Sequence, residues 1–380
     1  MQTLSIAKEL ISRQSITPND AGCQLYLAEM LASCGFHIEH LRFGDVDNLW
    51  AVHGTESPLF CFLGHTDVVP TGAESEWKHP PFTPTEDNGM LYGRGVADMK
   101  GCVAAFITAA QRFVAEHPTH KGSLAILLTS DEEGISVDGT KAVIEEFKSR
   151  SLKIDYCLVG EPSSEEALGD VVKVGRRGSL NGTLEINGVQ GHVAYPQLAR
   201  NPFHQALPAL NELCARNWDN GNEFFPPTSF QISNVNAGTG ADNVIPGKLN
   251  IIFNFRYSSE LNADKIKEAV HEVFDRHKLD YSIKWRLSGL PFLTKSGKLV
   301  QAVSQSIEKE TGKKPQLSTA GGTSDGRFVA PTGAEVAEFG LINRTIHKIN
   351  EHVAISHLDE LSKIYQAILD ELLLHCGMEG

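Results

Sequence analysis

Residues 123–134, SLAILLTSDEEG, carry an apolar run straight into three consecutive carboxylates, Asp131, Glu132 and Glu133, and stop at Gly134. An apolar run of this length closing on a turn signal reads as a buried strand. Three adjacent like charges repel unless a cation holds them or water surrounds them, and such a charge run is ordinarily a solvated loop. The flanking segments bear on the choice. Short apolar runs alternate with amphipathic stretches: LFCFLGHTD (59–67), MKGCVAAFITAAQRFVAEH (99–117), the opening run, TKAVIEEFKSR (140–150) and IDYCLVGEP (154–162). This strand, helix, strand, helix, strand rhythm predicts an α/β structure with a mostly parallel central sheet flanked by helices. Each strand delivers its polar residues at its carboxyl end, where open α/β sheets bind their ligands.

After GRRGS (175–179) the pattern changes. LNGTLEING (180–188) alternates, NPFHQALPALNELCARNW (201–218) reads as a helix, and TSFQISNVN (228–236) and KLNIIFNFRYS (248–258) read as strands. The last of these sets Leu249, Ile251, Phe253 and Phe255 on one face. ADKIKEAVHEVFDRH (263–277) places Ile266, Ala269, Val270, Val273 and Phe274 at helical spacing, and YSIKWRL (281–287) closes the series. The order βαββαβ is that of a split βαβ unit. From SGLPFLTKSGK (288–298) the first rhythm resumes, with AEVAEFGLIN (334–343) as a strand and HLDELSKIYQAILDELLLHC (357–376) as a final helix. The expected organisation is a discontinuous larger domain, residues 1–179 and 291–380, with a smaller α+β domain at 180–290 inserted into it.

A chain of 380 residues is long for one domain, and 41% hydrophobic with 21% charged residues is the composition of an ordinary globular protein. The net charge of -13 argues against nucleic acid or an anionic membrane as partner, since both select basic surfaces. No apolar run approaches the roughly 18 residues a membrane span needs. MQTLSIAKELISRQS (1–15) has Leu4, Ala7, Leu10 and Ile11 at helical spacing and no basic leader, so a first helix is expected there rather than a signal peptide. Seven cysteines, Cys23, Cys34, Cys61, Cys102, Cys157, Cys214 and Cys376, include no C-x-x-C pair, which favours a reducing cytoplasm.

Five stretches carry chemistry: GHTDVVP (64–70), GRGVADMKG (93–101), TSDEEG (129–134), LVGEPS (158–163) and TIHKINEHV (345–353). Taken singly, each has an ordinary structural reading. A histidine at a strand end is usually just hydrogen-bonded, and an Asp opening a helix, as Asp98 does, is usually an N-cap. Jointly they supply histidines from two segments and at least four carboxylates, nearly all at strand ends that a parallel sheet brings to one rim. Mixed His and Asp/Glu donors without cysteine suit zinc, cobalt or manganese in a catalytic site. Asp67, two residues from His65, is placed to fix the tautomer of that imidazole.

On GHTDVVPTG, GRGVADMKG, TSDEEG, KVGRRGSLNG, GVQGHVAYP, GTGADNVIPG, GGTSDGRF and TIHKINE, the chain resembles the di-zinc exopeptidases and deacylases. That family includes carboxypeptidase G, acetylornithine deacetylase and aminoacylase, and the resemblance spans essentially the whole chain. It implies two zinc ions per subunit, with cobalt able to substitute. Asp98 would bridge them, His65 and Glu161 would complete one ion, and Glu133 and His347 the other. The family pattern H-x-x-N-E falls on His347, Asn350 and Glu351, which selects His347 over His352. Glu132 resembles the general base, Asp67 the residue behind His65, and His192 a group that reaches across a dimer interface to the oxyanion. Arg176, Ser179, Asn243, Arg256, Gly322, Thr323 and Asn343 resemble the substrate-binding set; Asp242 departs from it, since a neutral residue is expected before Asn243. The resemblance further implies a cis Asp98–Met99 peptide and a dimerisation and lid role for 180–290. The implied activity is hydrolysis of N-succinyl-LL-2,6-diaminopimelate to succinate and LL-2,6-diaminopimelate, in lysine and diaminopimelate biosynthesis, by a cytoplasmic homodimer. The alternatives are an N-acetyl amino-acid deacetylase or dipeptidase of the same family, or a metal-free binding homologue. On this reading solvent is left only to Asp131, and the turn after the carboxylates falls on Gly134.

Overall fold

The opening strand, Ser123–Thr129, is buried along its whole length, which explains why it shows no alternation: it has a neighbour on each side and helices over it. In the computed structural model, which describes residues 2–374, it lies third in an eight-stranded sheet. The order is His37–Phe43, Val46–His53, Ser123–Thr129, Leu59–His65, Tyr156–Val159, Glu335–Glu338, Val171–Lys173 and Gln316–Ser318. The four strands from Ser123–Thr129 to Glu335–Glu338 are mutually parallel, so their carboxyl ends emerge along one edge. Two antiparallel strands, a hairpin from His37 to His53, flank them on one side. Cys376, placed by the sequence at the end of the last helix, lies outside the described residues; that helix is described as Ile355–Leu373.

Each face of the sheet takes its own helices. Phe62 stacks on Phe106 of helix Gly101–Glu116 at 4.0 Å, and Tyr365 of Ile355–Leu373 meets both rings edge-on. Trp50 points the opposite way from its buried neighbours Leu49 and Ala51 and meets Phe147 of helix Thr140–Ser149 at 4.7 Å. Among the described residues the cysteines are free, and no helix is long and apolar enough to cross a membrane.

The chain divides into two compact units: the described residues of Met1–Gly175, Leu293–Ser318 and Ser324–Gly380 form one, and Arg176–Phe292 with Thr319–Thr323 the other. The second contains a four-stranded antiparallel sheet ordered Ser229–Ala237, Lys248–Tyr257, Gly178–Asn187, Tyr281–Gly289. Leu249, Ile251, Phe253 and Phe255 are fully buried on one face, beneath helices Pro202–Ala215 and Ala263–Arg276. The segment 319–323, which the sequence reading left in the larger domain, groups with the second unit.

Candidate active site

Four parallel strands end within reach of one another, and each supplies a donor at its end or from the segment that follows. Leu59–His65 ends on His65 itself, Ser123–Thr129 leads into Glu132 and Glu133, Tyr156–Val159 into Glu161, and Glu335–Glu338 into the long loop that carries His347. Asp98 comes from the segment before helix Gly101–Glu116. Its side chain stands between the two imidazoles: Oδ1 lies 3.3 Å from His65 Nε2, and Oδ2 lies 3.2 Å from His347 Nε2. His347 Nε2 is also 2.9 Å from Glu133 Oε1, and His65 Nε2 is 3.8 Å from Glu161 Oε1. Donor atoms of His65, Asp98 and Glu133 lie within 4.8 Å of one another, as do those of His65, Glu132 and Glu161.

Close backbone approach makes this convergence possible. The Asp98–Met99 peptide is cis, and the Met99 side chain ends beside Gly64 and Gly160, the residues before His65 and Glu161. A Cβ on Gly64 would come within 2.7 Å of Met99 Cε, and one on Gly160 within 2.6 Å. Glycine before each donor therefore makes the room that Met99 occupies.

The electrostatics follow from burial of like charges. Burial opposes protonation of His65, but Asp98, Asp67 and Glu161 around it outweigh that and raise its pKa well above the usual imidazole range. His347 is pushed up to about 10 by its contacts with Asp98 and Glu133. Asp98 is held below the ordinary carboxylate range despite burial, because both imidazoles face it. Glu132 moves the other way: burial, reinforced by Glu161, raises it well above the usual value. Two acids of one cluster are thus shifted in opposite directions, Asp98 toward the ionised form by the imidazoles that face it and Glu132 toward the protonated form by burial.

Asp67 does more than stand behind His65. His65 Nδ1 lies 2.9 Å from the main-chain carbonyl of Asp67 and 3.6 Å from its carboxylate. An Nδ1–H donates to that carbonyl, which leaves Nε2 as the nitrogen turned toward Asp98 and Glu161. The Asp67 carboxylate instead accepts from the main-chain N–H of Glu133 at 3.1 Å, with that of Glu132 at 3.4 Å. Burial pushes it up to about 6.

Asp131 is not solvated, contrary to the sequence reading; it is only 4% exposed. Its oxygens accept from Ile135 N at 3.0 Å and Val137 N at 2.9 Å, so fixed donors replace water and the carboxylate shapes the loop beyond Glu133. Gly134 lies in the turn, but the left-handed residue is Ser136, at φ 55°. Glycine is required at 134 by crowding, since a Cβ would sit 2.6 Å from Asp131 Oδ1 and 2.7 Å from Thr17 Oγ1. Replacing Asp131 with alanine leaves those N–H groups without their charged acceptor, and the expected loss is about 2 kcal/mol in a urea titration, with faster proteolysis within 134–138. Unchanged stability and protease resistance would show that the loop holds itself.

His352 is drawn elsewhere. Its backbone belongs to strand His352–Ala354, paired with Met90–Tyr92; its ring lies against Tyr92 and its Nδ1 is 2.7 Å from Asn350 O. His347 and Asn350 both adopt positive φ, 59° and 60°. Those two kinks turn the loop so that the first histidine, not the second, reaches Asp98 and Glu133.

Of the remaining candidates, Arg176, Ser179, His192, Asn243, Arg256, Gly322 and Thr323 lie in the second unit. Ser179 and Arg256 are register partners, and Arg176 donates to Ala320 O at 3.0 Å. His192 pairs with Val244, next to Asn243, across a short antiparallel bridge. Asn343 lies in the first unit, its N–H on Ser164 O.

Sequence reading passed over Glu351 except as part of a pattern. It is 1% exposed, and its carboxylate accepts from Arg94 Nη1 and from the main-chain N–H of Gly95, Ala97 and Asp98. Burial pushes it up to about 7. A carboxylate within four residues of a donor histidine was the available signal.

A model of peptidase family M20/M25/M40 matches residues 61–371, spanning every residue of this cluster. The chain belongs to that family. The M20 likeness extends to whole proteins. A succinyl-diaminopimelate desuccinylase of Acinetobacter baumannii is 61% identical over 371 residues, 98% of each chain. Among solved structures, an M20 metallo-carboxypeptidase from Sulfolobus solfataricus superposes with a TM-score of 0.84 at 18% identity, covering 98% of this chain and 99% of that one. A Bacillus subtilis protein described as a dinuclear metal-binding M20 peptidase does so at 0.71 and 14% identity, covering 96% of each. The M20 fold is thereby shared at identities far below those of the desuccinylase relatives.

Proposed function

We propose that the protein hydrolyses the amide of N-succinyl-LL-2,6-diaminopimelate, adding one water to give succinate and LL-2,6-diaminopimelate in the synthesis of lysine and diaminopimelate. The observation that carries this is 61% identity across 98% of both chains to a desuccinylase of that name. The donor set suits two divalent cations. Two imidazoles and several carboxylates converge, and Asp98 turns one oxygen toward each imidazole. Zinc fits this set, with cobalt able to replace it. His65, Asp98 and Glu161 would hold one ion, and Asp98, Glu133 and His347 the other. When bound, such ions polarise an amide carbonyl and ionise water near neutral pH.

The chain's own groups do the rest. Glu132, its pKa raised by burial, takes a proton from the attacking water and hands it to the leaving amine. Asp67 holds the Glu132–Glu133 turn by accepting both main-chain N–H groups on its carboxylate. His192, from the second unit of a partner copy, donates to the oxyanion as charge develops there. Arg176 and Arg256 supply planar forks for the substrate's carboxylates, with Ser179, Asn243, Gly322, Thr323 and Asn343 completing the binding set. The working form is a cytoplasmic homodimer.

The deciding experiment compares N-succinyl-LL-2,6-diaminopimelate with N-acetylornithine on zinc-loaded protein, with and without chelator. The expected kcat/KM favours the succinyl substrate by more than about 100-fold, because a site built for its extra carboxylate is left with unpaired cations by the acetyl group. Chelator abolishes both reactions and zinc restores them. Preference for the acetyl substrate would make the protein a deacetylase of the same family, and turnover of neither a binding homologue.

A further inference from the structure

The Arg94–Glu351 pair belongs to none of the roles assigned above, yet it touches three of the segments that deliver the donors. Both side chains are buried, at 2% and 1% exposure, and their charged atoms meet at 2.9 Å. Glu351 Oε2 accepts from Arg94 Nη1 and from Gly95 N at 2.8 Å, while Oε1 accepts from Ala97 N at 2.8 Å and Asp98 N at 3.2 Å. Arg94 extends the network: its Nη1 also donates to Lys348 O at 3.2 Å, its Nη2 to Pro70 O at 3.4 Å, and its guanidinium lies over the Trp77 ring at 5.0 Å. Pro70 follows the His65 and Asp67 stretch, and Lys348 follows His347.

We infer that Glu351, clamped by Arg94, is a positioning residue that sets Asp98 against His347 and so fixes the geometry of the two-cation centre. The inference rests on the two-cation reading. Glu351 stands four residues after His347, and its carboxylate grips the backbone of Asp98 itself. One side chain therefore joins the residue proposed to bridge the ions to a ligand proposed for one of them. Each of its four partners is a donor. A carboxylate satisfies all four at once, whereas an amide of the same size must turn its NH2 toward two of them, whichever way it is flipped. Groups that orient metal ligands from behind typically account for 10–100-fold in affinity.

Glu351→Gln tests this without changing volume. Titration calorimetry with Zn(II) is expected to show affinity at one or both sites weakened by about 10–100-fold. The visible spectrum of the Co(II)-loaded variant shifts as ligand geometry relaxes, and kcat falls while KM stays within about twofold, since substrate contacts are untouched. Glu335→Gln is the control: its carboxylate accepts from Leu299 N at 2.8 Å, remote from the cluster, and it leaves affinity and spectrum unchanged. Should Glu351→Gln not fold, Arg94→Lys decides, because lysine keeps the charge but loses the fork that reaches Glu351 and both carbonyls; its affinity falls several-fold. Wild-type protein that binds no divalent cation would refute the two-cation reading itself. Wild type binding two ions while Glu351→Gln, or failing that Arg94→Lys, matches it in affinity and spectrum overturns the clamp alone, as does equal loss in Glu335→Gln.

Discussion

Glu132→Ala is expected to lower kcat by about 1,000-fold and to leave two ions bound. The magnitude is that of a positioned general base, roughly 100- to 10,000-fold. Retention of metal follows from how the carboxylates are divided. The His347 imidazole meets Asp98 and Glu133, and His65 meets Asp98 and Glu161, so each proposed ion keeps three protein donors when Glu132 is cut away. Burial and Glu161 raise Glu132 toward the protonated form, which suits a group that must accept a proton and release it again. Glu133→Ala should behave in the opposite sense, losing the ion shared with His347. Metal stoichiometry by elemental analysis, read beside kcat, separates the two. Because Glu132 also lies within ligand distance of His65 and Glu161, equal metal loss in both variants would make it a ligand and would falsify its assignment as the base.

His65, Glu132, Glu133 and Glu161 were legible because they sit where parallel strands end. LFCFLG, LAILLT and YCLV are apolar without alternation, the mark of strands covered on both faces, and the residue types that follow them are too costly to bury without cations. What was not legible depended on the backbone. The hairpin His37–His53 escaped because its first strand is only partly covered, with Leu41 its single buried residue, so no clean alternation shows. The hairpin Thr85–Tyr92 did carry a signal, the Asn88–Gly89 pair at φ 51° and 78°, a two-residue turn of the kind that matches strand twist. Asp131 and Glu351 were misjudged or passed over for one main reason: apart from Arg94 on Glu351, their partners are main-chain N–H groups, which every residue but proline has and no letter in a sequence marks. Spacing alone could not choose between His347 and His352 either, since the choice is made by two positive φ angles.

Asp98→Ala is expected to lose both ions and nearly all activity. Its two oxygens face different imidazoles, 3.3 Å and 3.2 Å away, so a single truncation takes one ligand from each proposed ion. Each site is then left with an imidazole and one carboxylate, fewer than the three protein ligands that catalytic zinc ordinarily keeps. Zinc affinity at both sites should fall by more than the roughly 10–100-fold typical of groups one layer out. The loss of several kcal/mol of charge stabilisation corresponds to a drop in kcat on the order of 1,000- to 10,000-fold. Asp98→Asn refines the test, because an amide offers one oxygen and turns its NH2 toward the other imidazole, so at most one ion should remain tightly held. Calorimetric titration with Zn(II) counts the sites directly. If Asp98→Ala keeps one ion at wild-type affinity, Asp98 serves a single cation; the other then depends on Glu132, Glu161 and His65, the second cluster whose donor atoms already converge within 4.8 Å.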